Sequence, residues 1–267
     1  QYSCEWCWGP DHLIGKGQSM TTKEVTRAMT LFAVTNMNQR FVLTGGEPML
    51  RPDIVEIVDH SCAEVDETVL STTGDILMQG GRGAETWDVL SRRPHGSTVA
   101  VPFHASNLDI NTKLMPRTSG QVHDRLGLVA DVLRTAQSLG IFATLRSTVT
   151  GIQQHKHLLD IPDLLAEKGV DLQKLRWKVY QYDPYVGPRS GVDVVTKYGL
   201  SDTAFSDIGE KITREYSGAL GYISLHPVKD SANNYVILSP SGEVRVVESD
   251  KDGLPVETHL QDKLGNF

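Results

Sequence analysis

The sequence is poor in cysteine and has no long apolar run. Three cysteines in 267 residues do not make a disulfide framework. No apolar stretch reaches the about 18 residues that a membrane-crossing helix needs. The first residues show no basic segment followed by an apolar one, so no secretory signal is visible and a cytoplasmic protein is expected. Internal repeats, low-complexity tracts and clear linkers are lacking too. Basic residues are the minority, 26 against 33 acidic, for a net charge of −7. That balance argues against a non-specific nucleic-acid binder and leaves room for a local basic pocket. What is present is a chain with 39% hydrophobic residues, long enough to bury a large core.

Helical and strand signals alternate along it. Thr21 and Glu24 form a capping box, and Val25, Ala28, Phe32 and Ala33 follow at helical spacing over 22–36. Arg40 to Thr44 reads as a short buried strand that ends at Gly45-Gly46-Glu47-Pro48. Further helices are expected at 53–62, 84–92, 121–139, 158–168 and 202–216, and strands at 68–71, 97–103, 141–148 and 174–181. Short strands at 222–225, 235–238 and 243–247 close the pattern, the last two joined by a Ser-Pro-Ser-Gly turn at 239–242. Strand–helix alternation of this kind implies an α/β fold, a partial (β/α)6 TIM-type barrel over 1–221, with a C-terminal extension over 222–267 that contains a short β-hairpin. Ligands in such folds bind at the C-terminal strand ends.

Two motifs carry chemistry. Cys4-Glu5-Trp6-Cys7 places two thiolates on one loop, where they can grip a metal centre. Zinc needs about four ligands, and there is no second C-x2-C; Cys62, His12, His60 and His104 complete a site only if the fold brings them there. Incidental buried thiols are the plain alternative. Leu43-Thr44-Gly45-Gly46-Glu47-Pro48 leaves a strand and precedes a helix. Its glycines let a ligand approach the backbone, Glu47 can accept from an ammonium group, and Pro48 stiffens the turn. By itself it is also compatible with a simple tight turn.

Taken together, the cysteine loop and the strand-Gly-Gly-Glu-Pro segment resemble the radical S-adenosylmethionine (SAM) superfamily, and more specifically its viperin-like branch. Arg176-Trp177-Lys178-Val179-Tyr180-Gln181 and Asn234-Tyr235-Val236-Ile237-Leu238 resemble two viperin strands in the same order. The resemblance implies a [4Fe–4S] cluster on a C-x3-C-x2-C loop, with Cys4 and Cys7 as ligands and a third cysteine expected one residue before Gln1. It implies that Thr44, Gly45, Gly46 and Glu47 surround the SAM amino group, that Thr72 and Thr73 replace a Ser-Asn pair that contacts SAM, and that Arg117 lies near the SAM carboxylate. Arg176, Lys178 and Tyr235 are implied to face the substrate. A lysine and an asparagine that viperin places around a nucleoside triphosphate are replaced here, by Leu145 and Ser147 in our alignment, and His104-Ala105 replaces an Asp-Ser pair. The activity implied is reductive cleavage of SAM, then hydrogen abstraction from a small anionic substrate, a nucleotide or sugar-nucleotide, in a lyase or oxidoreductase reaction. Dehydration of a nucleoside triphosphate is a sub-case. An electron donor such as flavodoxin or ferredoxin is implied as partner, with no nucleic acid and no membrane. Three cysteines leave no room for a second cysteine-ligated [4Fe–4S] cluster.

Other residues are weighed on the pattern alone. Arg176 and Lys178 alternate with Trp177, so both point to one face of a strand, where a barrel-interior anion site competes with a structural ion pair. Arg146 is either a further ligand or a paired surface residue. Tyr182, Asp183 and Tyr185 follow a strand toward its mouth, with substrate contact set against ordinary aromatic packing. His104, on the same rim, is assigned with Tyr235 to the catalytic set. Trp6 and Trp8 shield the cluster or simply pack. His155 and His157 read as solvated, Cys62 as a small buried residue, and Lys251-Asp252-Gly253 as a solvated turn. The rival readings are a zinc-binding interaction module and a barrel that binds SAM or a nucleotide without catalysis.

Overall fold

A computed structural model describes residues 2, 4, 6, 7, 19–35, 40–117, 124–153, 155–183, 192–230, 236–239, 241–249 and 255–259. Tyr235, Trp8, His12, Tyr185 and the 251–253 turn lie outside the described residues.

The first half runs α1 (Thr22–Thr35), β1 (Arg40–Leu43), α2 (Ile54–Glu64), β2 (Glu67–Ser71), α3 (Arg82–Ser91), β3 (Ser97–Pro102) and α4 (Leu108–Leu114). It continues with α5 (Arg125–Ser138), β4 (Phe142–Val149), α6 (His155–Glu167), β5 (Leu175–Gln181), α7 (Val192–Tyr198), α8 (Asp202–Tyr216) and β6 (Tyr222–His226). The six strands form one parallel sheet in sequence order, β1-β2-β3-β4-β5-β6. Helices fill the crossovers, as a parallel sheet requires. The expected α/β partial barrel is present.

Burial separates the two faces of the sheet. Along β5, Leu175, Trp177, Val179 and Gln181 are buried, while Arg176, Lys178 and Tyr180 between them are half-buried. Trp177 is fully buried on the helix side, where its N–H donates to Ser147 Oγ at 2.9 Å and its ring meets Tyr216 of α8 edge-on at 6.5 Å. The opposite face is concave. Arg40 of β1 and Arg176 of β5, three strands and more apart in sheet order, both reach Glu67 of β2, at 3.2 and 3.8 Å. Only a curled sheet permits that meeting.

The structure corrects several boundaries. A division at 221 would cut β6 from the sheet it completes, since Arg176 pairs with Tyr222 and Lys178 with Ser224. The C-terminal extension is a three-stranded antiparallel sheet, β7 (Val236–Leu238), β8 (Val244–Ser249) and β9 (Pro255–His259), rather than a lone hairpin. The expected helix over 121–139 starts at Arg125, where the Asp124 carboxylate caps it by accepting the Gly127 N–H at 2.8 Å. The short helices α4 and α7, seven residues each, carry too few turns for a periodic signal. His157 is buried on α6, not solvated, because α6 begins at His155 and turns that residue inward.

Trp177 links β4, β5 and α8, so its removal tests the packing of the helix side. Trp177→Ala is expected to cost about 3–5 kcal/mol of unfolding free energy, read by urea denaturation. A loss below about 1 kcal/mol would mean that the site collapses without strain.

Candidate active site at the strand ends

The turn after β1 is the first element of the site. Thr44, Gly45 and Gly46 are exposed, and Gly45 has φ +134°, a conformation that side chains rarely adopt. A Cβ added at Gly45 or Gly46 would meet nothing within 4 Å, so the turn presents its backbone to open space. Glu47 then turns back into the protein. Its Oε1 accepts the Met49 N–H at 3.0 Å and the Thr72 hydroxyl at 2.6 Å. Its Oε2 accepts both the N–H and the hydroxyl of Thr73 at 2.6 Å. Four donors nearly fill what a carboxylate can accept. Thr72 and Thr73 are thus partners of Glu47 in this state, and the backbone of Thr44–Gly46 is what the turn offers a ligand.

The cysteine segment docks at the end of α4 and on the chain that follows it. The Cys7 N–H donates to the Cys4 carbonyl at 3.2 Å, which folds both half-buried thiols onto one loop. Trp6 is its anchor. The indole N–H donates to the Leu114 carbonyl at 2.8 Å, and the ring stands edge-on to His104 at 4.9 Å and to Tyr182 at 6.4 Å. Tyr2 makes an antiparallel bridge with Arg117, whose guanidinium lies 5.5 Å from the Tyr2 ring centre and pairs with Asp75. The segment at Leu114–Arg117 is therefore the dock for the cysteine loop.

Two residues named from the sequence take part in this docking. His104 is 4% exposed, and its Nδ1 accepts the Thr148 N–H at 3.0 Å. Burial, with Arg125 adding to it, pushes its pKa down to about 3, so the ring is neutral near pH 7. In this structure it supports the Trp6 ring. Tyr182 is 5% exposed and packs with Leu114 and Tyr198; burial raises its pKa. It is part of the floor under Trp6.

Arg125 is a site residue that the sequence did not reveal. A single arginine in the first turn of a polar-starting helix carries no signal. It is 5% exposed, donates to the Thr73 carbonyl and, at 2.8 Å, to the Pro102 carbonyl, and lies 5.4 Å from the Tyr2 ring centre. It thus joins the ends of β2 and β3 under the cysteine segment. Cys62 is 7% exposed on α2, with Sγ 3.9 Å from Ser97 Oγ, and takes no part. Among the described residues no group of three or more His, Cys, Asp and Glu side chains is arranged to hold a metal ion.

Below the mouth, the concave face is cationic. Arg146 of β4 and Lys178 of β5 are register partners, as are Thr144 and Arg176. Arg146 donates to Ser71 Oγ at 2.8 Å. Leu145 and Ser147 face the helices instead and are fully buried, so Thr144, Arg146 and Thr148 are the β4 residues that line the lumen. Like charges side by side on a sheet are costly. Burial, then Arg40 and Arg146, push the Lys178 pKa down to about 8. His226 of β6 stacks on Tyr180 at 4.5 Å and bonds Ser224 Oγ at 2.7 Å. Burial, then Lys178 and Arg146, push its pKa down to about 4, against the pull of Asp230.

A parallel, curled sheet with a glycine turn and paired thiols at its C-terminal end defines a barrel with its reaction site at the mouth. Residues 1–165 match the Radical SAM superfamily, and the chain belongs to that superfamily. Its cofactors are a [4Fe–4S] cluster and S-adenosylmethionine. The chain is 26% identical over 178 residues to the GTP 3′,8-cyclase of Aquifex aeolicus (strain VF5), covering 65% of this chain and 52% of the cyclase. It is 22% identical over 240 residues to the molybdenum cofactor biosynthesis protein moc-5 of Caenorhabditis elegans, covering 84% of this chain and 37% of that protein. The chain thus spans about half or less of these relatives. In fold it is similar to Streptococcus suis SuiB bound to S-adenosylmethionine, with TM-score 0.61 and 16% identity over 85% of this chain and 47% of SuiB. Among the described residues no helix is long and apolar enough to cross a membrane.

Two expectations follow from this geometry. Glu47→Gln replaces an acceptor by a donor that faces the Thr72 and Thr73 donors, and should cost about 1.5–3 kcal/mol of stability and weaken SAM binding at least about tenfold. Thermal unfolding and SAM titration read both, and an unchanged SAM affinity would show that the turn holds its shape without the carboxylate. Lys178 has a folded pKa below its unfolded value, so its buried charge destabilises the fold below pH 8, and that cost is relieved as pH rises from about 8 toward the unfolded value. Lys178→Met should therefore raise Tm at pH 7 and change it little at pH 10. A Tm that falls equally at both pH values would contradict this.

Proposed function

We propose that this chain forms the core of an enzyme that cleaves SAM reductively and takes a hydrogen atom from a small anionic substrate held in the lumen. The observation that carries the reading is that one barrel combines a mouth fit for the cofactors with a cationic lumen below it. The mouth has the Cys4–Cys7 loop docked through Trp6 and the open Gly45-Gly46 turn, and the lumen has the face that bears Arg146, Arg176 and Lys178.

The residues present fit the implied cofactors. Cys4 and Cys7 are soft thiol donors on one loop, suited to iron in a cluster. Thr44, Gly45 and Gly46 offer backbone, with the space a Cβ would occupy left open. When bound, the cluster and SAM supply a 5′-deoxyadenosyl radical able to abstract hydrogen from a C–H bond. Glu47 keeps the turn in shape through Thr72 and Thr73. Arg117 and Arg125 hold the cysteine segment and the strand ends together, with Arg117 the charge available to the SAM carboxylate. Arg146 and Lys178 bind and orient the substrate's anionic group, with Arg176 deeper on the same face, and Trp6 with its aromatic floor excludes water from one side of the mouth. Tyr235 is retained as a substrate-facing residue on the strength of the viperin resemblance.

A nucleotide or sugar-nucleotide is the substrate class we favour. Arginine and lysine on adjacent strands suit phosphate recognition. The relative in Aquifex aeolicus is itself a GTP 3′,8-cyclase. Reducing electrons come from a donor such as flavodoxin or ferredoxin.

The test is anaerobic reconstitution of the protein in its full natural context, with iron, sulfide and 5′-deoxyadenosine measured after dithionite and SAM. About four irons per chain and release of 5′-deoxyadenosine are expected, and Cys4→Ala or Cys7→Ala should abolish both. SAM binding without release of 5′-deoxyadenosine would shift the assignment to a non-catalytic SAM-binding barrel.

A further inference from the structure

The concave face carries four basic side chains, Arg40, Arg146, Arg176 and Lys178, and one carboxylate. On the lumen-facing positions of β1–β6, all of them among the described residues, Glu67 is the sole acidic residue. It is firmly placed. Thr98 Oγ1 donates to its Oε1 at 2.7 Å, and Arg40 holds both its oxygens, Nη2 to Oε1 and Nε to Oε2, each at 3.2 Å. Arg176 approaches Oε1 at 3.8 Å, with its guanidinium seated 3.4 Å above the Phe142 ring. Two of the four cations thus already share a negative charge that the protein supplies. Lys178 has no ion pair among the described residues and stands beside Arg146.

We propose that Glu67 is the specificity-determining residue of the lumen: it occupies Arg40 and Arg176, confines the anion site to Lys178 and Arg146, and selects a short anion, one phosphoryl group, over an extended polyphosphate. The proposal rests on the anionic-substrate reading above. A single phosphoryl group needs only the Arg146–Lys178 pair. A chain of phosphates extending toward Arg176 meets a fixed carboxylate and arginines already spoken for. Discrimination built from a misplaced like charge is an established route to specificity. Thr98 is the device that keeps this charge from swinging aside.

The test is calorimetric titration of the reconstituted protein with inorganic orthophosphate and inorganic tripolyphosphate, without SAM. Wild type is expected to bind orthophosphate at least as tightly as tripolyphosphate. Glu67→Gln should tighten tripolyphosphate at least about tenfold and orthophosphate less than about twofold, while Glu67→Asp, which keeps the charge, should preserve the wild-type ratio. A purely structural Glu67 would lower Tm and shift both affinities together, and that result would overturn the proposal. Wild type that already binds tripolyphosphate more tightly than orthophosphate would overturn it without any variant. Binding of neither anion by wild type would overturn both this proposal and the anionic-substrate reading, while the release of 5′-deoxyadenosine judges the radical chemistry separately.

Discussion

The Glu47 carboxylate is the point on which the mouth of the barrel depends. In a parallel sheet the C-terminal strand ends are separate loops with no hairpin to join them. Glu47 joins two of them, accepting from Thr72 and Thr73 after β2 while its own chain leaves β1. Charge-assisted hydrogen bonds of this kind are stronger than neutral ones. Arg125 repeats the device one strand further along, donating to the Thr73 and Pro102 carbonyls. Thr73 takes part in both, its N–H and hydroxyl toward Glu47 and its carbonyl toward Arg125. The turn that carries Gly45 and Gly46 is held from outside itself, which lets it stay open where a ligand approaches.

The lumen shows the opposite economy. Its helix side is sealed by apolar residues such as Trp177, Val179 and Leu145. Its concave side holds cations, and burial together with their charges lowers the proton affinity of Lys178 and of the neighbouring His226. A fold selected for stability alone would place apolar residues there. An anion arriving there would relieve the repulsion among these cations, which fits the substrate reading proposed above. Glu67 limits that repulsion most at the Arg40 and Arg176 end, where it makes its ion pairs, and less at Lys178.

The alternation of strand and helix signals was legible because each core strand is an apolar run closed by Gly, Pro or a polar cluster. The helix over 202–216 is found at those bounds, Asp202–Tyr216, since Ser201 caps it and its apolar residues keep one face. The Arg-Trp-Lys alternation foretold the two faces of β5 because a strand has period two. The same rule shows why Leu145 and Ser147 were misplaced. An alignment slip of one residue on β4 moves every side chain to the other face, and the residues that line the lumen are Thr144, Arg146 and Thr148. His104 and Tyr182 make contacts of a kind the sequence does not show. Their position at strand ends is visible in the sequence, but the indole that packs on them lies 98 residues before His104 and 176 before Tyr182, and no local pattern encodes that contact. Glu67 was missed because its partners lie on β1, β3 and β5, which meet only when the sheet curls.

Trp6 connects these levels. It stands between the two cysteines, so wherever its ring is fixed the thiols are fixed within a residue or two of it. The fixing partners are a backbone carbonyl at Leu114 and two rings, His104 and Tyr182, each itself tied to the sheet. His104 is held by the Thr148 N–H on β4 and by Asn111 Oδ1, which accepts its backbone N–H at 2.9 Å. Protonation of His104 would break the bond from Thr148, and its low pKa removes that risk across the physiological range. The cysteine loop is therefore referenced to β4, the strand that also carries Arg146 into the lumen. One rigid strand sets both the height of the thiols over the mouth and the position of an anion ligand below it, which is what a reaction between a cofactor at the rim and a substrate in the barrel requires.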